Sequence, residues 1–270
     1  MTAPLSVGVA GIGFWAPQLP GWALAREVLL GRAEPLATPA PRVAPALLAA
    51  TERRRAPDTV AIALDVAARA CEMAGVAPRS LPSVFASTHG DLPINDYMCT
   101  TLATTPTLLS PTKFHNSVHN AAAGYWSIGT GCTEASTALT AWRQSFANGL
   151  LEAAVQCVAD DTPVLLVAYD VAARGPIAAV TPSAGLLATA LVLVPRAAGK
   201  FRALRCDLQA GVPAATQGDG DTRAWDVLLA GNAMAPCLPL FAALARNEAA
   251  QLAMGVGTGT VLQVSVAVDP

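Results

Sequence analysis

Residues 110–149 read SPTKFHNSVHNAAAGYWSIGTGCTEASTALTAWRQSFANG, and the way this stretch folds decides the rest. Cys132 follows Gly129-Thr130-Gly131. Beyond it, Ala135, Leu139, Trp142 and Phe146 recur at the spacing of one helical face, and Asn148-Gly149 is a helix stop. The spacing predicts a helix over 133–148, with Cys132 at its amino end. There the helix dipole and free N–H groups favour a thiolate, the arrangement thioester enzymes give their nucleophile. A second reading joins 117–148 into one continuous helix with Cys132 as a small buried hydrophobe. The residues alone leave both open.

Working outward, 153–159 (AAVQCVA), 163–169 (PVLLVAY) and 186–194 (LLATALVLV) are short apolar runs, expected as strands buried on both faces. An outer strand is expected at 201–208, a loop at 211–222, helices at 223–231 and 237–250, and a half-exposed strand at 260–268. Upstream, 5–12 predicts a strand with a turn at Gly13, and 21–30 a short helix. A covering loop with one helical turn follows over 33–57. Asp58 then caps a helix whose Val60, Leu64, Ala67, Cys71 and Ala74 share a face, and Gly75 ends it. A short strand at 83–87, a helix at 92–105 and a helix of small residues at 117–128 complete the pattern. Strands separated by helices make an α/β layered domain with helices on a mixed sheet.

Composition narrows the function. Charged residues are 13% of the 270, against roughly 25% in an average domain, while hydrophobic residues are 53%. So low a charge density fits a chain with part of its surface covered by another protein. Net charge is −2, and Arg53-Arg54-Arg55 stands alone as a basic run, so no nucleic-acid partner is expected. No apolar run reaches the length of about 18 residues that a membrane span needs. The amino-terminal residues lack a secretory pattern, so the cytoplasm is expected. The six cysteines form no CxxC pair, and neither they nor the histidines fall at metal-ligand spacing, so no metal or cofactor is expected.

Ser127-Ile128-Gly129-Thr130-Gly131-Cys132 is similar to the Ser-Ile-x-Thr-Ala-Cys approach to the nucleophile of β-ketoacyl synthases of the thiolase fold. In that family a helix, a glycine and a buried strand follow. Here Gly149 stands seventeen residues after Cys132. The block Ser110-Pro111-Thr112-Lys113-Phe114-His115-Asn116-Ser117-Val118-His119-Asn120, continuing into Ala-Ala-Gly-Tyr-Trp, resembles the chain length factors of bacterial aryl polyene and xanthomonadin-type clusters. The resemblance covers about residues 5–195. It implies a thiolase-like amino-terminal half without the second half, as a single domain over 1–270 in which 196–270 is an extension completing the sheet.

The same resemblance implies a division of labour. Full ketosynthases take two histidines from the second half to decarboxylate the extender unit; here the histidines are His89, His115 and His119 only. A thiol without those partners can be acylated but not condense carbon with carbon. The expected role is therefore a non-catalytic subunit. It would be paired with a β-ketoacyl synthase, supplied by an acyl carrier protein, and would help to set acyl chain length. Met98, Phe114, His115, His119, Tyr125 and Trp126 are the expected tunnel or interface residues, with Cys132 the candidate nucleophile. Two alternatives stand beside it: a cysteine-dependent acyltransferase or priming enzyme using Cys132, and a purely structural stabiliser of the ketosynthase. His115 and His119, four apart, read more simply as neighbours on one helix, and His89 with Asp91 follows a strand, where α/β proteins place sites but where a structural loop role also fits.

Overall fold

The computed structural model describes residues 4–195, 201–212 and 223–268. Among these residues one mixed sheet is formed by β1 (Leu5–Trp15), β2 (Ser83–Ala86), β3 (Ser136–Leu139), β4 (Val164–Val171), β5 (Leu186–Pro195), β6 (Arg202–Ala210), β7 (Ala250–Gly257) and β8 (Thr260–Val266). Their order is β3-β2-β4-β5-β1-β6-β8-β7. β2 runs parallel to both β3 and β4, and every other pairing is antiparallel. The helices are α1 (Trp22–Leu29), α2 (Ala50–Arg55), α3 (Asp58–Ala74), α4 (Leu92–Thr104), α5 (Pro111–Asn116), α6 (Ala121–Thr130), α7 (Ser145–Ala159), α8 (Arg223–Leu229) and α9 (Leu238–Arg246).

Alternation along β4 divides the core. Leu165, Val167 and Tyr169 face α3 and α6, together with Phe85, Ala188 and Val192. Val164, Leu166 and Ala168 face the other way, onto Phe146, Leu150, Ala153 and Cys157 of α7 and the aromatic group around Phe241 of α9. All eight residues of β4 are buried, which is why residues 164–169 are an apolar run rather than an alternating one, with Asp170 the charged residue near its end.

Two close approaches set the layer spacing. A Cβ on Gly11 or Gly13 would lie 2.0 or 2.1 Å from the backbone oxygen of Ala70 or Val66, so only glycine lets β1 lie flat against α3. The turn expected at Gly13 is therefore absent, and the strand runs on to Trp15. On the opposite face, a Cβ on Gly149 would meet Ala86 Cβ at 2.8 Å and Leu166 Cδ1 at 3.1 Å, so Gly149 seats α7 on β2 and β4.

The decisive stretch folds differently from its periodicity. Residues 136–139 are extended and pair with β2, and the helix begins only at Ser145. It then runs through Asn148-Gly149 and the run 153–159, so neither the stop nor that strand exists. The 3.6-residue repeat that packs is Phe146, Leu150, Ala153, Ala154 and Cys157; Ala135, Leu139 and Trp142 stand in phase with it, so the spacing alone does not mark where the helix begins. The β-branched Thr133, Thr137 and Thr140 favour extension, and pairing with β2 settles it. Smaller differences follow. The small-residue helix runs over 121–130, and Asp58 is the first residue of α3, behind Pro57. β6 lies between β1 and β8 rather than at the edge, while β7, for which no strand was expected, starts at Ala250, the last residue of the expected helix, and forms the edge. Most of the loop expected at 211–222 lies outside the described residues.

Candidate functional site

The carboxyl ends of the parallel strands β2, β3 and β4 converge, the place where open α/β sheets carry their sites. β3 delivers Thr140, Ala141 and Trp142, and the chain then turns directly into α7. Trp142 adopts φ 52°, a left-handed conformation that costs a bulky L-residue roughly 1–3 kcal/mol. The turn is held from behind by buried Ser145. Its Oγ accepts from Ala141 N at 3.0 Å and donates to Trp142 O at 2.6 Å. Thr140 Oγ1 donates to Thr88 O at 2.8 Å, tying the turn to the loop after β2. The Trp142 indole is 54% exposed, with the Arg143 guanidinium 5.1 Å from its ring centre.

Behind the turn lies Asp170, at the end of β4 and buried. Ser87 Oγ donates to it at 2.9 Å and Thr88 N at 3.0 and 3.1 Å. Desolvation outweighs these hydrogen bonds and pushes its carboxyl up to about 6. Asn232 Nδ2 donates to the Asp170 backbone oxygen and to Ala184 O, so the segment ahead of α9 is stitched to the same spot. Asp91 caps α4, accepting from Ile94 N at 2.9 Å and Thr59 Oγ1 at 2.7 Å, and burial raises its carboxyl too.

The histidines part company. His115 and His119 do not share a helix, because α5 ends at Asn116. His115 is exposed, edge-on to the Tyr125 ring at 6.0 Å. His119 instead places Nε2 3.0 Å from Ser87 O, and His89 Nε2 meets Thr181 Oγ1. Burial first, and then His119, hold His89 below its ordinary value. The sequence linked His89 to Asp91 alone; the fold adds His119, Thr140 and Asp170. Of the other expected site residues, Phe114 is 59% exposed, whereas Met98 and Tyr125 are buried. Trp126 lies in the core against Phe85, with ring centres 6.5 Å apart.

Cys132 does not begin a helix. It follows Gly131, which closes α6 in the left-handed conformation, and its N–H donates to Ser127 O at 3.1 Å. Its surroundings are the carboxyl end of a helix, which presents carbonyl oxygens rather than N–H donors. The side chain is 5% exposed, and Sγ lies 3.5 Å from Leu81 O. The strand–turn–helix geometry that the nucleophile reading demanded belongs to Trp142 instead. The signal was present: Thr140-Ala141-Trp142 matches the Thr-Ala-Cys end of the approach, with tryptophan in place of cysteine, a helix after it and the buried β4 beyond. No group of three or more acidic, histidine or cysteine side chains suited to a metal occurs among the described residues, and no helix among them is long and apolar enough to cross a membrane.

A family model described as Beta-ketoacyl synthase, N-terminal domain, matches residues 30–235. The chain belongs to that family. Solved structures agree on the fold. The ketosynthase ApeO in complex with its chain length factor ApeC from Xenorhabdus doucetiae matches with TM-score 0.72 at 21% identity, over 97% of this chain and 99% of that chain. The type II acyl-carrier-protein–ketosynthase complex AntDE:AntF, bound to a hexaketide, matches with TM-score 0.72 at 12% identity, over 98% and 99%. The ishigamide ketosynthase/chain length factor matches with TM-score 0.68 at 14% identity, over 98% and 100%. At these identities the likeness is one of fold. No curated protein matches in sequence. The turn between β3 and α7 carries the Trp142 indole and no thiol.

Proposed function

We propose that the chain is a non-catalytic chain length factor, paired with a β-ketoacyl synthase in a cytoplasmic type II polyketide or aryl polyene-type system. The observation that carries this reading is Trp142 at the elbow between β3 and α7. Without a thiol there, and without a histidine after His119, the chain has no means to accept an acyl group at the turn or to decarboxylate an extender. The partner supplies the chemistry, and an acyl carrier protein brings the growing chain.

Two surface features support a heteromer. β3 is an edge strand. Ser83 N donates to Ala135 O and Ser87 N to Leu139 O, so the intervening Ser136 and Ala138 turn their backbone groups outward, where another chain can pair with them. Earlier in the chain, residues 97–112 carry no charged side chain, yet Leu102 and Leu108 are exposed, as are Phe114 and Val118 just beyond them. In this reading Phe114 and His115 reach the partner, while Met98, His119 and Tyr125 form the wall behind them, with Trp126 as its backing. Apolar side chains at the subunit boundary end the acyl tunnel, and growth stops when the tail meets them.

Co-expression with a β-ketoacyl synthase of the same organism tests the pairing. The two chains are expected to copurify, and Ala138→Pro, which removes an outward N–H without touching the bonds to β2, is expected to reduce recovery. A chain that is monodisperse alone and never copurifies overturns the proposal. The acyltransferase reading needs a reachable Cys132, and a side chain buried under Leu81 does not favour it.

A further inference from the structure

The backbone at Trp142 is strained and its indole gains little burial within the chain. Trp142 is held at positive φ by the Ser145 hydrogen bonds, and more than half of its surface faces solvent. Strain of this kind persists where the surrounding structure over-determines it, and it clusters at functional positions. Large aromatics beside an arginine are also the residues that anchor protein interfaces. Arg143, whose guanidinium lies near the indole, is the only charged residue between Glu134 and Glu152. The turn therefore offers an aromatic surface carrying one positive charge, next to the outward edge of β3.

We infer that Trp142 is the anchor of the heteromeric interface, buried on assembly in an apolar pocket of the ketosynthase-type partner that has an acidic or carbonyl-lined rim to receive Arg143. This rests on the proposed function and adds to it the residue that holds the partner. A second copy of this chain is a poor occupant on grounds of charge. Of two cavities among the described residues, the larger is lined by Val9, Trp22, Leu244 and the like-charged Arg26 and Arg202. The smaller, along Ala16–Leu19 and Leu228–Leu229, has no acidic side chain. Neither complements an indole paired with a guanidinium.

Tryptophan fluorescence reads this directly. Trp15, Trp126 and Trp225 are buried and Trp22 is half-buried, so acrylamide reaches Trp142 far more readily than the others. A quenchable, red-shifted component is expected in the free chain. It should vanish in Trp142→Phe and become inaccessible when the wild-type chain assembles with its β-ketoacyl synthase partner. Trp142→Ala is expected to weaken assembly by roughly thirtyfold or more. Trp142→Gly should weaken it similarly while leaving the melting temperature of the isolated chain unchanged or raised, because glycine relieves the left-handed strain. A purely structural tryptophan would lower both. Assembly of Trp142→Ala with wild-type affinity, or a Trp142 still quenchable in the complex, overturns the anchor while the pairing stands. Protection of Trp142 by self-association of the chain alone overturns the choice of partner. If the wild-type chains do not assemble at all, pairing and anchor fall together.

Discussion

At the scale of single residues, the chemistry turns on which side chain sits at the turn. Cys132 and Trp142 are ten positions apart, at opposite ends of β3, and only one of them has helix N–H groups ahead of it. Cys132→Ala is expected to leave product formation by the assembled complex largely intact and to cost roughly 1 kcal/mol or less in stability. A hundredfold loss of turnover, with assembly preserved, would return Cys132 to the role of nucleophile. Native alkylation followed by mass spectrometry should label exposed Cys99 first. The buried Cys71, Cys157, Cys206 and Cys237, each pushed to about 12 chiefly by burial, should wait for unfolding.

Asp170 makes a second prediction at this scale. Its folded carboxyl is raised from the ordinary 3.8 to about 6, so the folded chain holds the proton more tightly than the unfolded one. The stability this confers is full below 3.8 and is lost as the pH rises through about 6, by on the order of 2–3 kcal/mol. His89 acts in the opposite sense. Its value is lowered, so its contribution is present when it is neutral and is lost as the pH falls through the ordinary histidine range. Urea midpoints measured from pH 4 to 8 should show Asp170→Asn flattening the loss between 4 and 6. An unchanged slope would mean that Asp170 does not titrate there.

At the scale of elements, α7 is the part most dependent on close packing. Gly149→Ala adds a methyl where Ala86 Cβ and Leu166 Cδ1 already stand at 2.8 and 3.1 Å, so α7 must lift from β2 and β4. Overpacking of this kind costs about 1–3 kcal/mol, against the gain of nearly 1 kcal/mol that alanine brings to a helix interior. A net loss is expected, read as a lower melting temperature, and a rise would mean that the contact relaxes freely. The elements legible in advance were those whose own residues carry the signal: α3 between Pro57 and the left-handed Gly75, β4 and β5 as mostly apolar runs, and α4. β3 was not legible. Its four residues gain their structure from the β2 ladder, and their spacing continued a helical pattern by coincidence. β7 was missed for the same reason, since its Ala- and Gly-rich residues favour no state until β8 pairs with them.

At the scale of the whole molecule, β6, β8 and β7 carry the sheet past β1 and leave edges at β3 and β7. The β3 edge, the uncharged surface of 97–112 and the low charge of the whole chain form one argument for a covered face. The isolated chain, supplied with acyl and malonyl carrier protein, is expected to form no carbon–carbon bond, whereas the assembled complex is expected to do so. Condensation by the pure chain, free of other ketosynthase, would contradict the non-catalytic role.

Sequence by itself determined the α/β class, the family resemblance, the want of a histidine after His119 and the scarcity of charge, because composition, motif and run length are local properties that no contact alters. Tertiary structure alone decided which residue occupies the elbow. A tryptophan and a cysteine ten residues apart can each be read as the end of the same approach motif. The choice between them is made by the β2–β3 pairing and by Gly149 seating α7, two contacts between segments distant in the chain. It was also the fold that drew His89, His119 and Asp170 together, since each closes a different strand or turn and only the parallel alignment of β2 and β4 brings those ends to one place.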